Sequence, residues 1–131
     1  MSKIKSLKPF IPAYSFAALI LIGSSIPTDK LNQKILSSDF VTHIAAFSLL
    51  AILLSIGYVN TKKIRFWCVK AAAVSLLVGV LAEVIQFFLP YRNFSIKDLG
   101  ADVIGIITAL VLFAVIYGIS GKKGARFDPG I

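Results

Sequence analysis

The sequence predicts an all-α membrane protein, a four-transmembrane-helix bundle with its N- and C-termini in the cytoplasm. Three observations carry this. Hydrophobic residues make up 57% of the 131-residue chain and charged residues 15%, where soluble domains average about 25% charged. The apolar residues fall into four runs, each about as long as a helix needs to cross a hydrocarbon core. The basic residues gather in the gaps between the runs, as they do in membrane proteins. The length suits one domain, residues 1–131.

The first span covers residues 10–27, running from Phe10 to Ile26 before Pro27 closes it. Pro12 suits an early helical position. Lys3, Lys5 and Lys8 before this run, and Gly23-Ser24-Ser25 near its end, give it some features of a signal peptide. It lacks a clear A-x-A site and is long for an h-region, so it is expected to be retained as a span. The second span runs from Phe40 to Val59, with Asp39 as N-cap beside Ser37 and Ser38. The third runs from Phe66 to Leu89 and stops before Pro90. The fourth runs from Ile96 to Ile119. Ser95 and Asp98 resemble a capping box at its start, with Asp in place of Glu, and Gly118 and Gly121 mark its exit. The connections are short, so neighbouring helices should be antiparallel. Residues 122–131 form a basic, glycine-containing tail expected to be mobile.

Ten of the fourteen basic residues lie before the first span, around the second connection or after the fourth span. Only Lys30, Lys34, Arg92 and Lys97 fall in the other two connections. That bias puts both termini and the second connection in the cytoplasm, and the first and third connections outside. The net charge of +8 does not form a stripe interleaved with aromatics, so no nucleic-acid partner is expected. Cys68 is the single cysteine; it excludes an internal disulfide and reads as a small apolar helix residue. Phe66, Trp67, Tyr58 and Tyr117 lie near span ends and read as an interfacial belt. Lys70 should snorkel to the inner interface, while Phe87 and Phe88 should face lipid or pack.

Against this apolar background, Glu83 to Asp102 holds three of the six acids. Asp39 and His43 are four apart at the outer end of the second helix and share a face. Glu83 and Gln86 share a face of the third, and Asp98, Asp102 and Gly105 form a stripe on the fourth. At a rise of about 1.5 Å per residue, Glu83 and Asp102 should lie about 9 Å inside the span ends and His43 about 5 Å. Acids facing lipid are costly, so these groups should turn inward, where they can share protons, pair with Arg92 or His43, or line a wet cavity. Gly79, Gly100, Ala101 and Gly105 should let the third and fourth helices approach closely. The pocket is expected between those two helices and the second, opening outward.

The same residues carry a family resemblance. The ordered set is Ser24-Ser25-Ile26-Pro27, Asp39-x-x-x-His43, Glu83-x-x-Gln86, Pro90-x-Arg92 and Ser95-x-x-Asp98-x-x-x-Asp102-x-x-Gly105. It resembles the VanZ-like family of small bacterial integral membrane proteins over about Phe16 to Leu112. Phe40, Ile44 and Asp102 depart from the residues common in the family, which are Lys, Phe and often Asn. The resemblance implies a multi-pass protein of the bacterial cytoplasmic membrane. The founding member is associated with teicoplanin resistance, so a link to glycopeptide antibiotic resistance is one implication.

Four readings of the polar set stand side by side. It is a structural hydrogen-bond network that fixes helix register. Or it is a binding site for an anionic envelope lipid or lipid-linked cell-envelope precursor, formed by Asp39, His43, Glu83, Gln86, Arg92, Ser95, Asp98 and Asp102, with Arg92 on the phosphate. Or it is a membrane-embedded hydrolase or transferase, with Glu83, Asp102 and His43 as candidate acid–base groups. In that case His43, Glu83, Asp98 and Asp102 are weak candidates for metal ligands. The last is a proton-linked carrier, for which four helices without an inverted repeat are a poor basis. A single histidine and no nucleophile pair at known spacing favour binding over catalysis, and no cofactor is implied. Membrane lipids are the expected partners.

Overall fold

The computed structural model describes residues 7–27, 39–61 and 66–121, apart from the side chains of 39 and 119–121. The cap expected from Ser37, Ser38 and Asp39, the basic residues of 62–65 and the tail 122–131 lie outside what is described.

A short 3-10 turn, Lys8–Phe10, leads into α1 (Ile11–Ser24). It is followed by α2 (Asp39–Asn60), α3 (Trp67–Phe88) and α4 (Ile96–Gly121). Among the described residues there is no strand. By length and composition α2, α3 and α4 can each cross a membrane. The first expected span differs: α1 is apolar but only 14 residues long. Pro9 and Pro12 stand second in the 3-10 turn and in α1, and the tight turn takes Phe10, expected as the first residue of the span. At the other end the Ser24 and Ser25 hydroxyls both donate to the Leu21 carbonyl, over 2.8 and 2.9 Å. Such local bonds compete with helix continuation.

α3 begins one residue later than expected, because Phe66 has left-handed backbone geometry with φ 57°. It ends where Leu89, the residue before Pro90, turns extended. The α4 start is as expected: the Asp98 amide donates to Ser95 Oγ over 3.3 Å. The helices alternate in direction. Tyr91, beyond the C-terminal end of α3, reaches Ser25 at the C-terminal end of α1, and Trp67 at the start of α3 meets Phe113 near the end of α4.

The most extensive contact is between α2 and α4. Gly105 makes it possible. A Cβ there would sit 2.5 Å from the Ile44 carbonyl oxygen, a distance that backbone cannot yield. Ser48 Oγ donates to the Gly105 carbonyl over 3.0 Å, tying the crossing together. Gly100, expected to help helix approach, instead faces open space, and its neighbour Ala101 is the buried one. The core is built from Phe47, Leu50, Ala51 and Leu54 of α2 against Ala71, Val78, Ile106 and Ala109. Trp67 is not an interfacial belt residue: it is 2% exposed, with its ring edge-on to Phe113 at 5.2 Å. Phe87 and Phe88 point outward, 68% and 76% exposed.

The tight crossing sets a stability prediction. Gly105→Leu should lower the unfolding free energy in detergent by about 1–3 kcal/mol through overpacking, whereas Gly100→Ala should leave it unchanged or slightly raised. Equal thermal unfolding of the two variants would contradict the close approach of α2 and α4.

Candidate functional site

α2 delivers His43 one turn after its start, with a side chain 19% exposed. Its Nδ1 lies 2.7 Å from Oδ1 of Asp102, an acid that is 1% exposed. An ionised carboxylate only accepts, so Nδ1–H is then the donor, and the bond fixes both tautomer and ring direction. Asp102 Oδ2 lies against the backbone of Gly79, where a Cβ would approach it to 2.9 Å. Gly79 is therefore required by the carboxylate it faces rather than by a helix backbone. His43 Nε2 faces Asp98 Oδ2 at 4.0 Å, beyond direct hydrogen bonding. Asp98, expected to act as a cap through its carboxylate, contributes only its amide to the cap. The Ser95 amide is taken by another residue, and the Asp98 carboxylate lies toward His43.

Glu83 supplies the missing half of that cap from another helix. Its Oε2 accepts the Ser95 amide over 2.9 Å. In an ordinary capping box this arm comes from the third residue of the same helix. Here α3 provides it across the hairpin, and Glu83 is 1% exposed. The carboxylates of Glu83 and Asp102, expected level with each other, are thus directed apart: one to the start of α4, the other to Gly79, a turn before Glu83. Oε1 of Glu83 and Oδ2 of Asp102 are buried and have no hydrogen-bond partner among the described residues.

Arg92 does not pair with an acid among the described residues. Its Nε donates to the Ser24 carbonyl over 3.2 Å, and Tyr91 Oη donates to the Ser25 carbonyl over 2.8 Å. The hairpin tip therefore caps the C-terminal end of α1, where carbonyls lack helical partners and a cation is favoured. Among the described residues only Nε is used, and the terminal nitrogens of the guanidinium have no partner.

A cavity of about 260 Å³ lies beside this cluster. Its polar wall is Ser24, Thr42, His43, Gln86 and Arg92, and its apolar wall includes Ile20, Ala46, Phe47 and Ala82. The expected pocket was placed between the second, third and fourth helices. This cavity is lined by α1, α2, α3 and Arg92, and none of its lining residues belongs to α4. The reason is the glycine-mediated contact of α4 with α2, which closes that side. Gln86 is 4% exposed and lines the cavity, and its carboxamide makes no hydrogen bond among the described residues. Of the residues anticipated from sequence, His43, Gln86 and Arg92 line the cavity. Asp98 and Asp102 stand behind His43, Glu83 and Ser95 meet each other, and the Asp39 side chain is not described. Ser24 and Thr42 were missed as lining groups. Ser24 belongs to a motif that marked a span end, and Thr42 precedes His43; neither position carries a charge to signal it. Among the described residues no three His, Cys, Asp or Glu side chains are placed to hold a metal ion.

The interhelical cap makes a prediction. Glu83→Ala should destabilise the protein by about 1 kcal/mol, since it leaves the half-buried Ser95 N–H without its partner, and should raise hydrogen exchange at the Ser95 amide. Glu83→Gln keeps a carbonyl acceptor and should cost less. Unchanged exchange at Ser95 in Glu83→Ala would rule out the bond.

Comparison with known proteins places this arrangement in a family. A model of the VanZ/LLP1 family matches residues 3–117. No curated protein and no solved structure gives a match. The matched segment contains all four helices up to Tyr117 and every residue of the His43 cluster, and the chain belongs to the VanZ/LLP1 family.

Proposed function

We propose that the protein binds the phosphate-bearing headgroup of an envelope lipid or lipid-linked cell-envelope precursor in this cavity. The observation that carries the reading is Arg92, held by Nε at the cavity wall, together with a buried Gln86 on the same cavity; among the described residues the terminal nitrogens of Arg92 and the Gln86 carboxamide have no partner. Guanidinium and phosphate form charge-assisted, two-point hydrogen bonds. The apolar wall suits the first part of a lipid tail. In this reading the protein sits in the bacterial cytoplasmic membrane with both termini inside, on the bias of its lysines and arginines. The cavity, at the Ser24 and Arg92 end of the bundle, then faces outward. A contribution to glycopeptide resistance of the teicoplanin type follows only if the ligand is a wall precursor.

A second reading, a membrane-embedded hydrolase or transferase, is favoured by the His43–Asp102 bond. A buried acid that orients an imidazole is the arrangement of a general base. Nε2 faces Asp98, an acid rather than a nucleophile, so binding stands first. A purely structural role accounts for Glu83 and Ser95 but leaves Gln86 without a reason to be polar.

Arg92→Ala should reduce co-purified phospholipid, read by mass spectrometry of gently extracted protein, by roughly tenfold or more, as loss of a charged hydrogen-bonding partner predicts. Arg92→Lys should restore only part of it, because an ammonium lacks the two-point geometry. Unchanged lipid retention in Arg92→Ala would sink the proposal.

A further inference from the structure

We propose that the cavity opens sideways into the bilayer between α1 and α2, with Gly23 setting what passes, so that a bound lipid keeps its tail among the surrounding lipids. The inference rests on the reading of the cavity as a lipid site and adds its route of entry and a specificity-determining residue.

The first ground is how polarity changes with depth. Each helix that lines the cavity carries a polar lining residue and, four positions deeper in the bundle, an apolar one: Ser24 and Ile20 on α1, Thr42 and Ala46 on α2, Gln86 and Ala82 on α3. Residues four apart share a helix face, and four residues rise about 6 Å. A phosphate at the polar level therefore has an apolar wall directly beneath it. Below that wall the bundle is filled. Phe47 and Leu50 are each 1% exposed, and Phe16 and Ala17 of α1 pack on the same core. At about 260 Å³ the cavity is smaller than the roughly 300–1,000 Å³ of pockets that enclose a drug-sized ligand. It has room for a phosphate and the start of a tail, and the rest of a lipid must leave it.

The second ground is where a tail can leave. Ala82 and Gln86 of α3 are 2% and 4% exposed and form a closed back wall. The other two helices carry the exposure. Gly23 and Thr42 are exposed, and Ile20 and Ala46, one turn deeper, are half-buried. The rim thus runs down α1 and α2. Gly23 stands on it, and a Cβ there would meet nothing within 4 Å among the described residues. Gly79 and Gly105 are glycines because a neighbour presses on them; Gly23 has no such neighbour. It lies inside α1, where glycine costs about 0.5–1 kcal/mol relative to alanine. An open rim gives that glycine a use. Residues 28–38, which join α1 to α2 in sequence, lie outside the described residues, so the test uses the full chain.

The test is photolabelling of that chain in phosphatidylcholine nanodiscs containing a phosphatidylglycerol with a diazirine on an early carbon of one acyl chain. Labelled positions are read by peptide mass spectrometry. Label on Thr42 and Ala46 should exceed label on Phe87 and Phe88, which are exposed elsewhere on the bundle, and excess free glycerol phosphate should not displace it. Gly23→Leu should cut label at Thr42 and Ala46 by roughly fivefold or more, the scale of one overpacked side chain. Gly100→Leu, which also enters open space but away from this cavity, should leave it unchanged. Circular dichroism melts show that each variant is folded; if Gly23→Leu is not, the wild-type labelling pattern decides alone. Label spread evenly over the exposed residues of all four helices, or a folded Gly23→Leu that labels like wild type, overturns the sideways route. The lipid site then still stands if Arg92→Ala lowers lipid retention. Displacement by free glycerol phosphate assigns the cavity to a soluble phosphate and also overturns the inference. Labelling and lipid retention both unchanged in Arg92→Ala remove the site and the inference together.

Discussion

The bond between His43 and Asp102 is the interaction around which the bundle is organised. Hydrocarbon offers nothing to a polar side chain, so a polar group inside a lipid-embedded bundle must find its partner on another helix. Here one acid and one imidazole meet where α2 crosses α4. The crossing is close enough only because Gly105 has no side chain to hold Ile44 away. Gly79 does the same for Asp102 on the α3 side. Two glycines on two helices thus serve one pair of polar residues, and the core of Phe47, Leu50 and Ala109 packs on the geometry they allow.

The hairpin between α3 and α4 repeats this economy at its own scale. Glu83 completes the cap of α4 from the neighbouring helix, and Arg92 and Tyr91 cap α1 from the tip. Each bond satisfies a backbone group that a helix end leaves open. Together they bind the shortest helix and the hairpin into one unit, so that α1 becomes a wall of the cavity although it is the shortest of the four helices. Among the described residues the same bonds leave over what a ligand would use in the proposed reading: the terminal nitrogens of Arg92 and the carboxamide of Gln86.

Much of this was legible in the sequence. The four apolar runs gave the helices, and the charges inside them marked His43, Glu83, Gln86, Asp98 and Asp102 as inward-facing. Gly79 and Gly105 stood one turn from buried acids, which pointed to close contact. What could not be read was which helix met which. Periodicity assigns a residue to a face of its own helix and is silent about the neighbour that face meets. That is why the part of α1 in lining the cavity could not be foreseen, and why Arg92, expected on an acid or a lipid phosphate, was not foreseen as the cap of α1. Trp67 misled for a related reason. An aromatic at a span end reads as interfacial by position alone, and only the contact with Phe113 shows it buried.

His43 is the single histidine of the chain, so its imidazole can be labelled with nitrogen-15 without ambiguity. Solid-state NMR of the labelled protein in phospholipid bilayers, with dephasing of the imidazole signals by phosphorus-31, reports whether a lipid phosphate sits beside it. A phosphate in the cavity should dephase an imidazole nitrogen, and Arg92→Ala should abolish the effect while the His43–Asp102 hydrogen bond persists. Imidazole signals that show no dephasing in wild-type protein would contradict a lipid phosphate held at this site.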